Sequence, residues 1–140
     1  MINGIHQVSV DLEIPFHDVD MMEVAWHGHY AKYFEIARCA VLEQIDYNYP
    51  QMRASGYAWP VIDLRIRYVK PAVFGQKITV TASIVEWENR LKIDCLITDK
   101  ATGTRLVKGH SIQVAVEMPA MTMCYESPKI LFEKLGISIP

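Results

Sequence analysis

The sequence has few cysteines and no long apolar run, and both scarcities narrow the class of protein. Its three cysteines, Cys39, Cys95 and Cys124, are widely spaced and form no C-x-x-C pair. Neither a disulfide framework nor a thiolate zinc site is therefore expected. No stretch approaches the roughly 18 consecutive apolar residues of a membrane-spanning helix, and the first residues lack the basic and apolar regions of a signal peptide. We expect a protein of the reducing cytoplasm that does not enter a membrane.

The sequence also lacks an excess of charge of either sign. It has 14 Lys and Arg residues against 16 Asp and Glu residues, for a formal charge of -2, whereas a nucleic-acid-binding domain would show a basic stripe. With 51% hydrophobic residues, the chain does not have the apolar-poor composition of a disordered protein. Because no repeat or linker divides it, we expect residues 1–140 to form one domain.

Hydrophobic periodicity predicts a mixed α+β domain. A strand is expected over residues 5–14, followed by a loop over residues 15–28. From His29 to Ile45 apolar residues recur every three to four positions, which predicts one long helix that ends before Pro50. Alternation with a period of two then predicts four further strands, over residues 61–69, 78–84, 91–97 and 104–117.

The short connections between these four strands predict an antiparallel meander, with the long helix covering one face of the sheet. The expected architecture is a curved antiparallel sheet of about five strands wrapped around one long central helix. A short helix is expected near the C-terminus, with Ser127 as its N-cap and Pro128 at its first position.

Groups that can perform chemistry are concentrated just before the long helix. Three carboxylates and three histidines lie between His17 and His29. Free N–H groups at a helix start can hold an oxyanion, and a neighbouring carboxylate can act as general base or nucleophile. Three other interpretations remain open: an ordinary polar loop, a turn or helix cap formed by Asp18, and a metal site in which His27 and His29 join Asp18 or Asp20.

The order of these residues resembles that of a known family. The matching segments are residues 18–20 (DVD), 24–30 (VAWHGHY), 33–38 (YFEIAR), 67–72 (RYVKPA) and 74–75 (FG). Together they resemble the signature of hotdog-fold acyl-CoA thioesterases, and more narrowly the 4-hydroxybenzoyl-CoA thioesterase family with its YbgC-like branch. The resemblance covers essentially the whole chain and implies a hotdog fold.

The resemblance implies roles for individual residues. Asp20 would be the catalytic carboxylate, acting as nucleophile or as general base, and His27 would assist it. The backbone N–H at His27 or Gly28 would polarise the thioester oxygen. The family needs neither a metal nor a cofactor. The chain departs from the family at Glu23, where glycine is usual.

The remaining candidates concern substrate binding. Trp26 and Tyr30 are candidates for the acyl pocket, together with Gly28 at the helix start. Arg67 and Lys70 are candidates for binding the phosphate groups of coenzyme A. Each of these residues also has a structural interpretation, as core, interface or solvated strand edge.

The leading hypothesis from the sequence is a cytoplasmic thioesterase acting on an acyl-CoA or acyl-carrier-protein thioester. The resemblance also implies a homodimer or homotetramer, because hotdog domains pair through their sheets. Two alternatives remain: a hotdog dehydratase or isomerase that releases no thiol, and a non-catalytic module that binds acyl thioesters. The sequence does not specify the acyl group.

Overall fold

A five-stranded antiparallel sheet holds one long helix against its face. The computed structural model describes residues 5–138, so residues 1–4 and 139–140 of the expected domain lie outside the described residues. The helices are α1 (Tyr30–Gln44), α2 (Tyr49–Ala54) and α3 (Lys129–Leu135). The main sheet contains β1 (Gln7–Glu13), β3 (Val61–Tyr68), β4 (Lys77–Glu86), β5 (Leu91–Asp99) and β6 (Arg105–Gln113). A smaller sheet contains β2 (Tyr57–Ala58), β7 (Val116–Glu117) and β8 (Thr122–Met123). The predicted α+β class is confirmed.

The strand order of the main sheet is β1-β4-β5-β6-β3. The prediction of a four-strand meander is therefore wrong for β3, which pairs with β6 and not with β4. One side of β4 pairs with β5 and the other pairs with β1, where Val10 lies opposite Val80, so β4 has no side left for β3. The segment between β3 and β4 consequently crosses the sheet past β6 and β5 to reach β4, which lies beside β1, and β3 is left as an edge strand.

Helix α1 packs its apolar stripe against this sheet, as its periodicity predicts. Its buried residues are Tyr30, Tyr33, Phe34, Ala37, Arg38, Val41 and Leu42. Fully burying one large apolar side chain contributes about 1.5–3 kcal/mol, so this stripe is a main source of stability. At Gly109 of β6 an added Cβ would overlap the carbonyl oxygen of Arg65 and would lie 2.8 Å from the Phe34 ring. Glycine therefore allows close approach of both β3 and the helix at this point.

Helix α2 is absent from the sequence prediction, which treated its residues as a loop. Helix α1 ends at Gln44, and α2 begins after Asn48, whose side chain accepts a hydrogen bond from the N–H of Tyr49. The Gln51 side chain in turn accepts one from the Asn48 N–H at 3.0 Å. This capping box, with Pro50 in the first turn, was readable in the sequence as a helix start.

The C-terminal third of the chain differs from the prediction in two places. The strand expected over residues 104–117 is two strands, because β7 leaves the main sheet and pairs with β2 and β8. Helix α3 begins at Lys129 with Pro128 as its N-cap, and the Ser127 hydroxyl makes no capping bond. The predicted cap was therefore one residue too early. None of the helices described between residues 5 and 138 has the length and apolar character needed to cross a membrane.

Candidate active site

The segment before α1 is folded as a tight loop that points Asp20 outward. Val19 and Ala25 pair across the loop, the Asp20 N–H donates to the Val24 carbonyl at 3.0 Å, and the Glu23 N–H donates to the Asp20 carbonyl at 3.0 Å. The backbone of five residues, Asp20 among them, is thereby fixed around one carboxylate. Such a turn holds a reactive side chain at a defined place without packing it into the core.

Glu23 has a left-handed backbone conformation in this turn, with φ of 62°. Its carbonyl accepts a hydrogen bond from the Phe74 N–H at 3.0 Å, which ties the turn to the segment before β4. The resemblance places a glycine here, and a left-handed backbone is what glycine adopts without steric cost. The loop thus keeps a glycine-like path, and a residue with a Cβ occupies it at some energetic cost.

The Asp20 carboxylate is exposed and only partly engaged. Its Oδ1 accepts a hydrogen bond from the Met22 N–H at 2.8 Å, and the other carboxylate oxygen has no partner among residues 5–138. One oxygen therefore stabilises the turn, which is the structural role that the sequence left open. The second oxygen is available for a water molecule or a substrate.

Asp20 borders a small cavity at the N-terminal end of α1. Its volume is about 270 Å³, and it is lined by Asp20, Val24, Ala25, His27, Tyr30, Tyr68, Val69, Lys70 and Pro71. A strained loop, a helix start and the end of β3 therefore meet at one place. Of the residues singled out in the sequence, the cavity brings together Asp20, His27, Tyr30 and Lys70.

Backbone donors are available at the rim of this cavity. His27, Gly28 and His29 form a 3-10 turn that leads directly into α1. The N–H groups of His27 and Gly28 have no acceptor within the described part of the chain, whereas the His29 N–H donates to Trp26. Free N–H groups at a helix start carry partial positive charge, which suits them to stabilise an oxyanion.

Tyr30 and Tyr68 form the aromatic wall of the cavity, with ring centroids 5.4 Å apart. The buried Tyr30 hydroxyl accepts a hydrogen bond from the Ala72 N–H at 3.1 Å. Burial raises the pKa of Tyr30, so its hydroxyl remains neutral at physiological pH. The Tyr68 hydroxyl donates to the His27 carbonyl at 3.2 Å and so joins β3 to the helix start. Tyr68 was not singled out in the sequence, although it lies within the RYVKPA segment that carries the resemblance.

Trp26 and Gly28 do not line the cavity but pack against each other beside it. A Cβ added at Gly28 would overlap the Trp26 indole, so glycine leaves room for that ring. The indole also contacts the His27 ring at 5.0 Å and the His29 ring at 5.5 Å between centroids. Trp26 therefore covers the outside of the turn that carries the free N–H groups.

Arg67 lies apart from Asp20. It points to the face of the sheet opposite α1, where it lies across from Lys108. Lys70, three residues later, lies at the cavity after β3 has ended. The two candidate phosphate ligands are thus on different surfaces.

Asp18 is a structural anchor rather than a helix cap. Its side chain is 1% exposed and accepts hydrogen bonds from Lys32 at 2.8 Å and from the Tyr33 hydroxyl at 2.6 Å. No side chain caps α1, so the expectation that Asp18 caps this helix is wrong. Burial acts to raise the pKa of Asp18, but the bonds from Lys32 and Tyr33 outweigh it and lower the pKa below its ordinary value.

The positions of His29 and Asp18 bear on the metal-site interpretation. The His29 Nδ1 atom lies 3.8 Å from Asp18 Oδ1, but the Asp18 carboxylate already accepts hydrogen bonds from Lys32 and Tyr33. Among residues 5–138, no group of three or more His, Cys, Asp and Glu side chains is placed to hold a metal ion.

Comparisons with known proteins place the chain in a family. Residues 14–128 match the family model of the thioesterase-like superfamily. The chain belongs to this superfamily. It is 26% identical over 112 residues to YneP of Bacillus subtilis, which is provisionally named an acyl-CoA thioesterase, covering 80% of this chain and 81% of YneP. It is 28% identical over 126 residues to a provisionally named esterase of Synechocystis, covering 85% of this chain and 72% of the other.

Solved structures show the same fold. A 1,4-dihydroxy-2-naphthoyl-CoA thioesterase from Synechocystis superposes with a TM-score of 0.82 at 16% identity, covering 93% of this chain and 96% of that one. A DHNA-CoA thioesterase from Staphylococcus aureus superposes with a TM-score of 0.76 at 22% identity, covering 85% and 80%. The hotdog fold and the thioesterase resemblance predicted from the sequence are both confirmed. The chain has the family and fold of a thioester hydrolase.

Proposed function

We propose that this protein hydrolyses an acyl-CoA thioester to a carboxylic acid and free coenzyme A, with Asp20 as its catalytic carboxylate. The observation that carries the proposal is the cavity that Asp20 shares with His27, the first residue of the turn before α1. Among residues 5–138, one Asp20 carboxylate oxygen has no partner, and the N–H groups of His27 at the cavity and of Gly28 beside it have no acceptor. Thioester hydrolysis needs a group that delivers oxygen to the carbonyl carbon and a donor that stabilises the resulting oxyanion.

Two chemical routes fit this arrangement. In the first, Asp20 accepts a proton from water as that water attacks the carbonyl carbon, and the N–H groups of His27 and Gly28 stabilise the oxyanion. In the second, Asp20 itself attacks and forms an acyl-enzyme anhydride, which water then cleaves. In both, the carbon–sulfur bond breaks and the thiolate leaves and takes up a proton. His27 lines the same cavity, and its imidazole is the group that we assign to that transfer.

Substrate-binding roles follow from position. Tyr30 and Tyr68 present aromatic surface to the acyl group, and Lys70 adds a positive charge at the mouth of the cavity. Trp26 acts through Gly28 by holding the turn that bears the oxyanion donors. Arg67 would contact the substrate only where the substrate extends past the end of β3 to the opposite face of the sheet.

Assembly and location complete the proposal, with residues 1–140 as one hotdog domain. Edge strand β3 exposes Val61, Ile62 and Leu64 together with its unpaired backbone groups. Such an edge is suited to pairing with a second copy, which supports a homodimer and, through further packing, a homotetramer. Cys39, Cys95 and Cys124 are free thiols, which agrees with a cytoplasmic location.

The test is a panel of aliphatic and aromatic acyl-CoA and acyl-carrier-protein thioesters, followed by release of free thiol. Wild-type protein is compared with Asp20→Asn, which keeps the size of the side chain and removes its basicity. The expected loss in kcat is at least about 100-fold, the usual contribution of a general base. The matched control is Asp11→Asn on β1, an exposed position outside the cavity.

Other outcomes have distinct signatures. Undiminished hydrolysis by Asp20→Asn would exclude Asp20 as the catalytic carboxylate. Product hydration or isomerisation without thiol release would indicate a dehydratase or isomerase. Thermal stabilisation by thioesters without turnover would indicate a binding module.

A further inference from the structure

A second cavity, on the far side of the sheet from the candidate active site, is strongly basic. Its volume is about 380 Å³, within the range of small-ligand pockets. Five of the chain's 14 Lys and Arg residues line it, and the one carboxylate among its lining residues is Asp94. The basic residues are Arg65, Arg67, Lys92, Arg105 and Lys108. We call this cavity the basic groove.

Strand register shows which face of the sheet carries the groove. Arg65 lies opposite His110 and Arg67 lies opposite Lys108, so these four side chains share one face. Between them, Gly109 presents its Cα to Phe34 of α1. Since successive residues of a strand point to opposite faces, Lys108 and His110 point away from the helix. The groove therefore lies on the outer face of β3, β5 and β6.

Among residues 5–138, one of the five groove cations is paired, Lys92 with Glu86 at 3.7 Å, and the other four are not neutralised. Within residues 5–138, Arg65, Arg67, Arg105 and Lys108 make no ion pair, and all four are exposed. Like charges on adjacent strands repel each other. The whole chain nevertheless carries a formal charge of -2, so this concentration of positive charge is local. An uncompensated basic cavity of this kind attracts an anion.

The groove and the candidate active site meet at the end of β3. Arg67 points into the groove, whereas its neighbour Tyr68 lines the Asp20 cavity, and Lys70 follows immediately. A ligand that passes around this strand end can occupy both cavities. Coenzyme A is such a ligand, because a long flexible pantetheine arm separates its thioester from its nucleotide.

We propose that the basic groove binds the phosphate groups of the coenzyme A nucleotide while the thioester occupies the Asp20 cavity. The proposal rests on the proposed function and adds a subsite on the opposite face of the sheet. Guanidinium groups bind phosphate through paired hydrogen bonds, and Arg65, Arg67 and Arg105 supply three of them. Packing a second copy face to face against the groove would bring positive charge against positive charge, which is unfavourable.

Truncated substrates separate this subsite from the catalytic cavity. The variant Arg65→Gln/Lys108→Gln removes two charges from the groove, while Arg67 is kept because it adjoins Tyr68. KM is measured for one acyl group carried on coenzyme A, on dephospho-coenzyme A and on N-acetylcysteamine, which has no phosphate. We expect KM for the acyl-CoA to rise by about tenfold or more, as befits two lost charge-assisted contacts. The value for the N-acetylcysteamine thioester should stay within about twofold, because no phosphate is present to lose a contact.

The control is Lys77→Gln, which removes a charge from β4 outside the groove and should change none of the three KM values. Equal losses with all three substrates, or no loss with any, would overturn the proposal. A loss confined to a carrier-protein thioester would also overturn it, since the groove would then recognise an acidic protein. If wild-type protein hydrolyses no thioester, the proposed function fails. The groove is then tested separately by calorimetric titration with adenosine 3′,5′-bisphosphate. Binding to wild-type protein that Arg65→Gln/Lys108→Gln weakens is expected. No binding, or binding that the variant leaves unchanged, would overturn the subsite.

Discussion

The carboxylate of Asp18 and the ammonium group of Lys32 join the loop that carries Asp20 to helix α1. The Lys32 Nζ atom lies 2.8 Å from each carboxylate oxygen of Asp18. The Asp18 carbonyl also accepts a hydrogen bond from the Trp26 N–H at 2.9 Å. One buried residue thus fixes both sides of the loop that carries Asp20, only two positions away.

Replacing Asp18 with Asn should lower the free energy of unfolding at pH 7 by about 1–3 kcal/mol, because charge-assisted bonds in a buried place are lost. The pKa of Asp18 is lower in the folded than in the unfolded state. Its ionised form therefore stabilises the fold above the unfolded pKa, and this contribution is lost as the pH falls through the folded pKa. Urea unfolding of wild-type and variant proteins at pH 7 and pH 3 measures it. A difference that stays constant between the two pH values would contradict this role.

Replacing Glu23 with Gly should raise the free energy of unfolding by up to about 1 kcal/mol. A left-handed backbone costs a residue with a Cβ about 1–2 kcal/mol, and the greater freedom of glycine in the unfolded chain cancels part of the gain. Thermal and urea unfolding measure the change, with Glu23→Val as the comparison, since a β-branched residue fits this conformation worst. Destabilisation by Glu23→Gly would show that the side chain itself supports the loop.

Replacing Gly28 with Ala should displace Trp26 and reduce hydrolysis. The new methyl group meets the far end of the indole, which is 51% exposed and has room to move, so the loss in stability should stay below about 2 kcal/mol. Near-ultraviolet circular dichroism reports the movement, and kcat/KM reports its effect on the oxyanion donors. In a Trp26→Ala background the same substitution should have little effect on either. Equal effects in both backgrounds would remove Trp26 from the argument.

Replacing Gly109 with Ala should be more damaging to stability than the same change at Gly28. Here the obstacle is the backbone carbonyl of Arg65 in the neighbouring strand, which cannot move without disturbing the pairing of β3 with β6. A loss of about 2 kcal/mol or more in the free energy of unfolding is expected. Urea unfolding of the two glycine variants side by side measures the contrast, and a cost at Gly109 no larger than at Gly28 would contradict it.

Local patterns determined much of this molecule. The 3.6-residue period from Tyr30 onward identified α1 and its buried face, because an amphipathic helix must place one stripe on the core. Period-two alternation located the strands for the same reason. The family resemblance of residues 18–30 indicated the candidate site, and the structure brings Asp20, His27 and Tyr30 to one cavity because a short loop leads directly into the helix start.

Long-range placement was decided by the tertiary structure. Whether β3 pairs with β4 or with β6 depends on which edge β1 occupies, and no local pattern in β3 encodes that choice. The same placement brings Tyr68 to the Asp20 cavity and turns Arg67 to the opposite face. The composition of the sequence, with few cysteines, no apolar span and nearly balanced charge, indicated a compact domain but no ligand. Only the fold concentrates positive charge in one groove, because charges from three strands become neighbours there while the sum over the chain stays near zero.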